Sequence, residues 1–347
     1  MKYVLVTGGC GFMGSHFIRR LYTRYPEYRI VNLDLLTYAG NPENLKDLEQ
    51  AEAVKAPAER RYDHIQGDIC DSQLVDRILE GKSFDLVVHF AAESHVDRSI
   101  FNFRDFIRTN VEGTRVVLEA ARTHKIPRTV HISTDEVYGN VPEGMSTEEA
   151  PLNPSNPYAA SKAAADMLAR TYASVYGLPV FIVRSGNNYG PNQYPEKLIP
   201  LSITNLMSGG TIPIHGSGTH VRSWVHVDDF ARAVDLIAHH DAQFDIFNIS
   251  GEHRSNLEII ESLATHFGKD MAAHIVTVGD RPAADFRYAP ESSKIERVLG
   301  WKRERALEEA LPATAQWYTD NRAWWESVKA RKEFVDHYEK QSKAQWY

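Results

Sequence analysis

Three polar residues in a row, Thr134, Asp135 and Glu136, stand in HISTDEVYG (131–139), where an apolar run gives way to a turn. Adjacent buried carboxyl groups repel each other when both are ionised, so the pair favours a state that keeps one proton. Such a pair can give a proton from one member and take one with the other. The competing use is capping of the turn that follows. Further on, YAASK places Tyr158 and Lys162 four residues apart. On a helix that spacing puts both on one face. A cationic Lys beside a Tyr stabilises phenolate and lets Tyr act as a base near neutral pH. Alone, the same spacing equally describes a surface pair on a helix.

A third constellation lies near the N-terminus. TGGCGFMG (7–14) follows an apolar run and opens a helical one, with Gly8, Gly11 and Gly14 in GxxGxxG spacing. Glycines there permit a tight turn and close backbone approach, and the helix N-terminus can receive a pyrophosphate. A plain strand-to-helix turn also uses glycines, but the position straight after the first strand favours a dinucleotide. Asp34 ends the second apolar run, 20 residues after Gly14. An acid there accepts hydrogen bonds from the adenosine ribose and repels a 2′-phosphate, favouring NAD over NADP. No basic residue follows in DLLTYAGN (34–41), in agreement. Asp68, in GDI, fits equally a bond to adenine or the N-cap of the next helix.

The elements that must position these groups follow from periodicity. Short β-branched runs at 3–7, 29–34, 62–68, 85–91, 129–134 and 179–184 alternate with helical patterns at 14–25, 104–124 and 158–176. Continuous apolar strands with helices between them predict a parallel sheet covered on both faces, a doubly wound α/β (Rossmann) domain. After Arg184 the texture changes: GNNYGPNQYPEKLIP (186–200) reads as loop. The runs 225–240 and 244–250 read as a helix and a strand that rejoin the sheet. The expected division is therefore 1–190 plus 225–250 for the nucleotide domain. A smaller, mainly C-terminal lobe for the substrate takes 191–224 plus 251–347. The tail ALPATAQWYTDNRAWWE (310–326) reads as one helix whose Trp residues anchor packing.

Composition bounds the rest. The 347 residues are 43% hydrophobic and 24% charged, as in an ordinary globular protein. A net charge of −7 argues against nucleic-acid binding, while a few local cations suffice for a small anionic ligand. The two cysteines, Cys10 and Cys70, form no CxxC pair and fit a reducing compartment. No run approaches the ~18 apolar residues of a membrane span, so no membrane partner and a cytoplasmic location are expected. The 15 His residues show no HExxH-like spacing, and no metal is expected.

STDEVYG, AAESHVDRSI (91–100), YAASK, NNYGPNQYPEKLIP (187–200) and SKIERVLGW (293–301) together resemble the nucleotide-sugar 4,6-dehydratases of the extended short-chain dehydrogenase/reductase superfamily. The resemblance covers nearly the whole chain. Nucleotide-sugar decarboxylases and GDP-mannose dehydratases are similar too but typically carry Ser where Asp135 stands, and simple 4-epimerases lack the acid pair. The resemblance implies a bound NAD and a nucleotide-diphosphate sugar, with dTDP-glucose first and UDP-glucose or a UDP-N-acetylhexosamine open. Tyr158, assisted by Lys162, would take the C4 hydroxyl proton while Thr134 holds that oxygen. Glu136 would remove the C5 proton and Asp135 would protonate the departing C6 oxygen.

By the same resemblance Phe12, Met13, Asp34, Thr37, Asp68 and Ile69 belong to the cofactor side, with Ala91, Ala92, Thr109, Tyr158, Lys162 and Asn188. Ser94, Thr134, Asn187, Lys197, Leu198, Arg222 and Asn256 belong to the substrate side. Arg222 suits a bidentate bond to diphosphate, with Arg287 a second candidate. A surface salt bridge competes at Arg222, a helix N-cap at Asn256 and a merely solvated charge at Lys197. The chain departs from the family pattern at Leu35, Gly186, Ser223, Ala283 and Ala284, none of them a reacting group. A homodimer is expected through the helices at 104–124 and 158–176. Two other readings compete: an epimerase or decarboxylase, and a non-catalytic NAD-binding regulator. The regulator predicts decay of the reactive set, and all five reactive residues are present.

Overall fold

The computed structural model describes residues 2–343. In chain order the strands are β1 (Lys2–Thr7), β2 (Tyr28–Asp34), β3 (Tyr62–Gln66), β4 (Phe84–His89), β5 (Thr129–Thr134) and β6 (Val180–Ser185). These are followed by β7 (Asn187–Tyr189), β8 (Ile212–His215), β9 (Val221–His226), β10 (Phe244–Ile249), β11 (Glu252–Ser255) and β12 (Ile275–Val278). Seven of them form one sheet in the order β10-β6-β5-β4-β1-β2-β3. All its pairings are parallel. The chain reverses its direction of winding between β1 and β4, which opens a crevice at the strands' C-terminal ends.

The strands are apolar throughout because both faces are covered. Val4 and Val6 of β1 point into one core with Phe17, Phe230 and Phe247, while Leu5 points into the other with Val31, Val87 and Val116. Ile295 and Trp301, far along the chain, close the first of these cores. A third core, with Ile203, Trp224, Ile260 and Leu311, lies in the smaller lobe around the antiparallel and parallel pairs β11-β9-β7 and β12-β8.

Local signals set the helix that carries YAASK. Asn156 accepts from the Ala159 N–H as N-cap, Pro157 occupies the first turn, and Gly177 ends the helix at φ 65°. The helical pattern at 104–124 is interrupted: Phe103–Phe106 runs into a π-helical stretch, Ile107–Gly113, before Thr114–Thr123 resumes α geometry. A π stretch adds a residue to the turn and is frequent beside functional sites. The expected single tail helix is two, Leu307–Asp320 and Arg322–Lys329, because Asn321 leaves helical geometry at φ −111°. The expected loop at 186–200 contains the short strand β7, and a helix begins at Leu198. No helix among the described residues is long and apolar enough to cross a membrane.

Candidate active site

Thr134 is the last residue of β5, and Asp135–Tyr138 form one tight 3-10 turn ended by Gly139 at φ 71°. The cap of that turn is Thr134, whose Oγ1 accepts from the Glu136 N–H at 3.2 Å. The acids are thus released from capping. Asp135 is 2% exposed, and its Oδ2 has no hydrogen-bond partner among the described residues. Burial pushes its carboxyl well above the usual range, and the neighbouring Glu136 pushes it further. Burial also raises Glu136, but the Asn156 amide, at 3.1 Å from Oε2, and the cations Arg222 and Lys197 pull it down. The two acids therefore differ: Asp135 is the better proton holder and Glu136 the better anion.

Tyr158 lies buried on the first turn of the 157–176 helix, its backbone N–H bonded to Ser99 Oγ. Burial raises the phenol, and Glu136 adds to this, while a bond from Thr134 opposes it. Lys162, one turn on, donates through Nζ to the Ile132 carbonyl at 2.6 Å. Burial lowers its ammonium to about 8. The pair is thus an interior feature of the fold, which removes the surface-helix alternative.

Two cavities meet here. The larger lies over the crevice between β1 and β4. Gly8, Gly11, Phe12, Met13 and Gly14 line its floor, with Asp34 and Thr37 at one end and Asp68, Ile69, Ala91, Ala92 and Thr109 along the side. Thr134, Asp135, Glu136, Tyr158 and Asn188 close the other end. A Cβ at Gly8, which has φ +72°, would lie 2.6 Å from the Ala91 nitrogen, and one at Gly14 would lie 2.4 Å from the Gly8 carbonyl. Neither position admits a side chain, so the loop presents bare backbone to the cavity. Asp34 holds the loop shape as well as facing the cavity: its carboxylate accepts from the Cys10 and Leu36 N–H groups at 2.9 and 2.8 Å. Asp68 is no helix cap. Asp71 caps the following helix through its bond from Leu74 N, leaving Asp68 to Cys70 N and Arg108. A glycine floor, an acid at the ribose end and the buried Asn188 Oδ1, which has no partner among the described residues, fit a dinucleotide.

The second cavity opens on the smaller lobe. Ser94, Glu136, Asn187, Lys197 and Leu198 line its inner end, and Arg222 and Asn256 its outer part. Lys197 Nζ donates to the Ser94 carbonyl at 2.9 Å. Arg222 bonds the Val221 and Asp285 carbonyls and lies 4.3 Å from the Tyr288 ring centroid. Asn256 is free to face the cavity because Ser255, in a capping box with Glu258, caps its helix. Arg287 is placed elsewhere: its Nη1 donates to the Val141 and Gly144 carbonyls, and it lines neither cavity. Lys162 likewise lines neither and lies beneath Tyr158. Gly186 and Ser223, both departures from the family pattern, face each other. A Cβ at 186 would lie 2.8 Å from Ser223 Oγ, which instead accepts from Gly251 N.

Several residues at the site carried no signal in the sequence. Asn110, in the π stretch, bonds Glu93 on both sides and Ser161 Oγ, tying the 91–95 loop to the YAASK helix. Tyr288 reaches Glu136 and Asp285. Arg281, Glu196 and Gln341 also line the substrate cavity. Only Asn156 could have been found, from the Asn-Pro dipeptide before a helical run.

Fold and site define the class: a short-chain dehydrogenase/reductase with a dinucleotide cavity joined, at an acid pair, to a second cavity lined by Lys197, Arg222 and Arg281. The sequence pattern of the family described as GDP-mannose 4,6 dehydratase matches residues 5–314. A dTDP-glucose 4,6-dehydratase of Streptomyces niveus is 46% identical, covering 95% of this chain and 96% of its own. DesIV, a dTDP-glucose 4,6-dehydratase from Streptomyces venezuelae solved with NAD and TYD bound, superposes with TM-score 0.88 at 46% identity, over 94% of this chain and 100% of that one. The enzyme from Bacillus anthracis, solved in complex with NAD, gives TM-score 0.85 at 38% identity, over 95% and 100%. The chain belongs to the family of dTDP-glucose 4,6-dehydratases.

Proposed function

We propose that the protein converts dTDP-glucose to dTDP-4-keto-6-deoxyglucose and water, using a retained NAD. The observation that carries this is an acid pair with Glu136 where the two cavities meet and Asp135 and Tyr158 beside it on the dinucleotide side. An epimerase needs only the oxidising end. A buried acid beside a second carboxylate adds the means to eliminate water.

NAD, when bound, takes up the C4 hydride and returns it at C6. The chain's own groups move the protons. Tyr158 receives the C4 hydroxyl proton as a phenolate, a form that Lys162 and the positive nicotinamide ring of bound NAD favour against the burial that raises the phenol, with Thr134 on the same oxygen. A C4 ketone acidifies C5, and Glu136, held by Asn156, takes that proton. Asp135 gives its proton to the C6 oxygen, which leaves as water. Glu136 then returns a proton to C5, and the proton that Tyr158 took from C4 passes to Asp135 to reset the pair for the next turnover. Ser94, Asn187, Lys197, Leu198 and Asn256 position the sugar and nucleotide, and Arg222 holds the diphosphate. The glycine loop, Asp34, Thr37 and Asp68 hold the adenosine half of NAD, with Ile69, Ala91, Ala92, Thr109 and Asn188 along its length.

The chain works as a homodimer in the cytoplasm. Phe103, Ile107 and Met167 are large apolar side chains left exposed on the two helical segments that would pair. Light scattering showing a monomer would remove that assignment. The functional test is incubation without added NAD with dTDP-glucose, UDP-glucose, UDP-N-acetylglucosamine and GDP-mannose, following product mass. Loss of water from dTDP-glucose, with solvent deuterium at C5, is expected. A 4-epimer, carbon dioxide or unchanged sugar would reject the reading.

A further inference from the structure

The helix Lys332–Ser342 brings Gln341 into the lining of the second cavity and buries polar groups beside it. Gln341 Nε2 donates to Asp97 Oδ2 at 2.9 Å. Both Asp97 oxygens also accept from Arg281, through Nε and, at 3.2 Å, Nη2. His337 stacks edge-on against His95 at 4.8 Å between centroids, with Nε2 3.8 Å from Glu196 Oε2. Glu196 in turn accepts two bonds from Arg98, whose guanidinium lies 3.8 Å from the centroid of Tyr38, a wall of the dinucleotide cavity. Asp97, Glu196, His337 and Gln341 are each 5% exposed or less.

His95, Asp97 and His337 place ligand atoms within 4.8 Å of one another. Charge argues against a cation among them. Asp97 is already shared by Arg281 and Gln341; burial first lowers both rings, and the cations Arg98, Lys197 and Arg281 around them repel a further positive charge. The cluster is a latch between an anion and a cation. Asp97 is pinned on the helix that follows Ser94, and Arg281 on the loop that walls the substrate cavity. A buried pair of this kind is sensitive to each remaining hydrogen bond, because a lost donor leaves charge uncompensated.

We propose that Gln341 and His337 are positioning residues: the helix Lys332–Ser342 locks Asp97 and through it sets Arg281 in the wall facing the anionic part of the nucleotide sugar. The inference rests on the assignment of that cavity to the nucleotide diphosphate. The test uses the full chain with NAD bound, comparing wild type with Gln341→Ala and Gln341→Glu. Thymidine diphosphate is titrated by calorimetry, and turnover of dTDP-glucose is measured per NAD-loaded site. Gln341→Ala is expected to raise Kd and KM about tenfold with kcat within about twofold. Gln341→Glu keeps the size but sets a second anion beside Asp97, and should raise both further. His337→Asn, on the same helix, should shift Kd in the same direction by a smaller factor. Unchanged Kd in these variants, with only a lower Tm, would overturn the proposal. Wild type that binds the diphosphate with these differences yet releases no water would reject the dehydratase reading and leave the latch standing.

Discussion

The dinucleotide cavity and the substrate cavity share Glu136 but are built in different ways. The first is made from strand ends in sequence order, with its floor contributed by one stretch, Gly8 to Gly14, and its end by Asp34 on the next strand. Its floor is bare backbone with no room for a side chain at Gly8 or Gly14. The second gathers side chains from β4's exit loop, the 187–198 segment, β8 and β9, Asn256, the 280–288 loop and Gln341. Its lining is rich in charge, held by ion pairs across long sequence distances. One lesson is that conformational rules govern the first cavity and pairing rules the second, so each should fail in its own way.

The sharpest cut falls where the cavities meet. Asp135→Asn removes the acid but keeps the shape. Elimination is expected to slow by roughly 10²–10⁴-fold while C4 oxidation changes much less. Single-turnover absorbance of the reduced cofactor, followed alongside release of water, separates the steps. Equal loss in both would place Asp135 outside proton transfer to C6.

On the charged side, Arg222→Gln should raise KM about ten- to hundredfold with a much smaller change in kcat, and should leave bound NAD at its wild-type level. On the backbone side, Gly8→Ala should do the reverse. Its Cβ meets the Ala91 nitrogen at 2.6 Å in a φ +72° conformation, a strain of about 1–3 kcal/mol. NAD carried through gel filtration should fall about tenfold or more, while thymidine diphosphate still binds. If each variant impaired both ligands equally, the contrast between the cavities would not hold.

The smallest effect concerns the latch. Burial, with Arg98 next, lowers the His337 imidazole to about 3. The unfolded chain takes up that proton near pH 6.5, which the folded chain refuses. The group's contribution is therefore full above pH 6.5 and is lost on acidification toward pH 3, by about 1.4 kcal/mol per unit. His337→Gln removes this titration. The stability gap between wild type and variant, from urea unfolding at pH 7 and pH 5, should change by about 2 kcal/mol in the variant's favour at the lower pH. A gap that does not move with pH would show that the ring is not held neutral.

Much of the fold was legible because it is written in local periods. Alternating apolar strands and amphipathic helices give the parallel sheet, and Asn156-Pro157 and Gly177 mark the ends of the YAASK helix. The interruption at Ile107–Gly113 was not legible, since its residues keep helical periodicity and only tertiary contacts open the turn. The break at Asn321 was missed for a similar reason: aromatic packing spans it. Arg287 illustrates the limit for sites. Its type suits a diphosphate as well as Arg222 does, and both guanidiniums bond backbone carbonyls, yet only Arg222 lines the cavity.

By itself the sequence marked the candidate reactive residues and the alternation of strands and helices that presents them. Those properties depend on residue type and on spacing along one or two elements, where period and steric rules apply. Tertiary structure decided which charges face each other. It gave Thr134 the cap and so freed both acids, it buried Asp135 and so raised its carboxyl well above the usual range, and it joined Asp97, Arg281 and Gln341 from three distant segments. Burial and long-range pairing are properties of the folded surroundings, and no spacing along the chain encodes them.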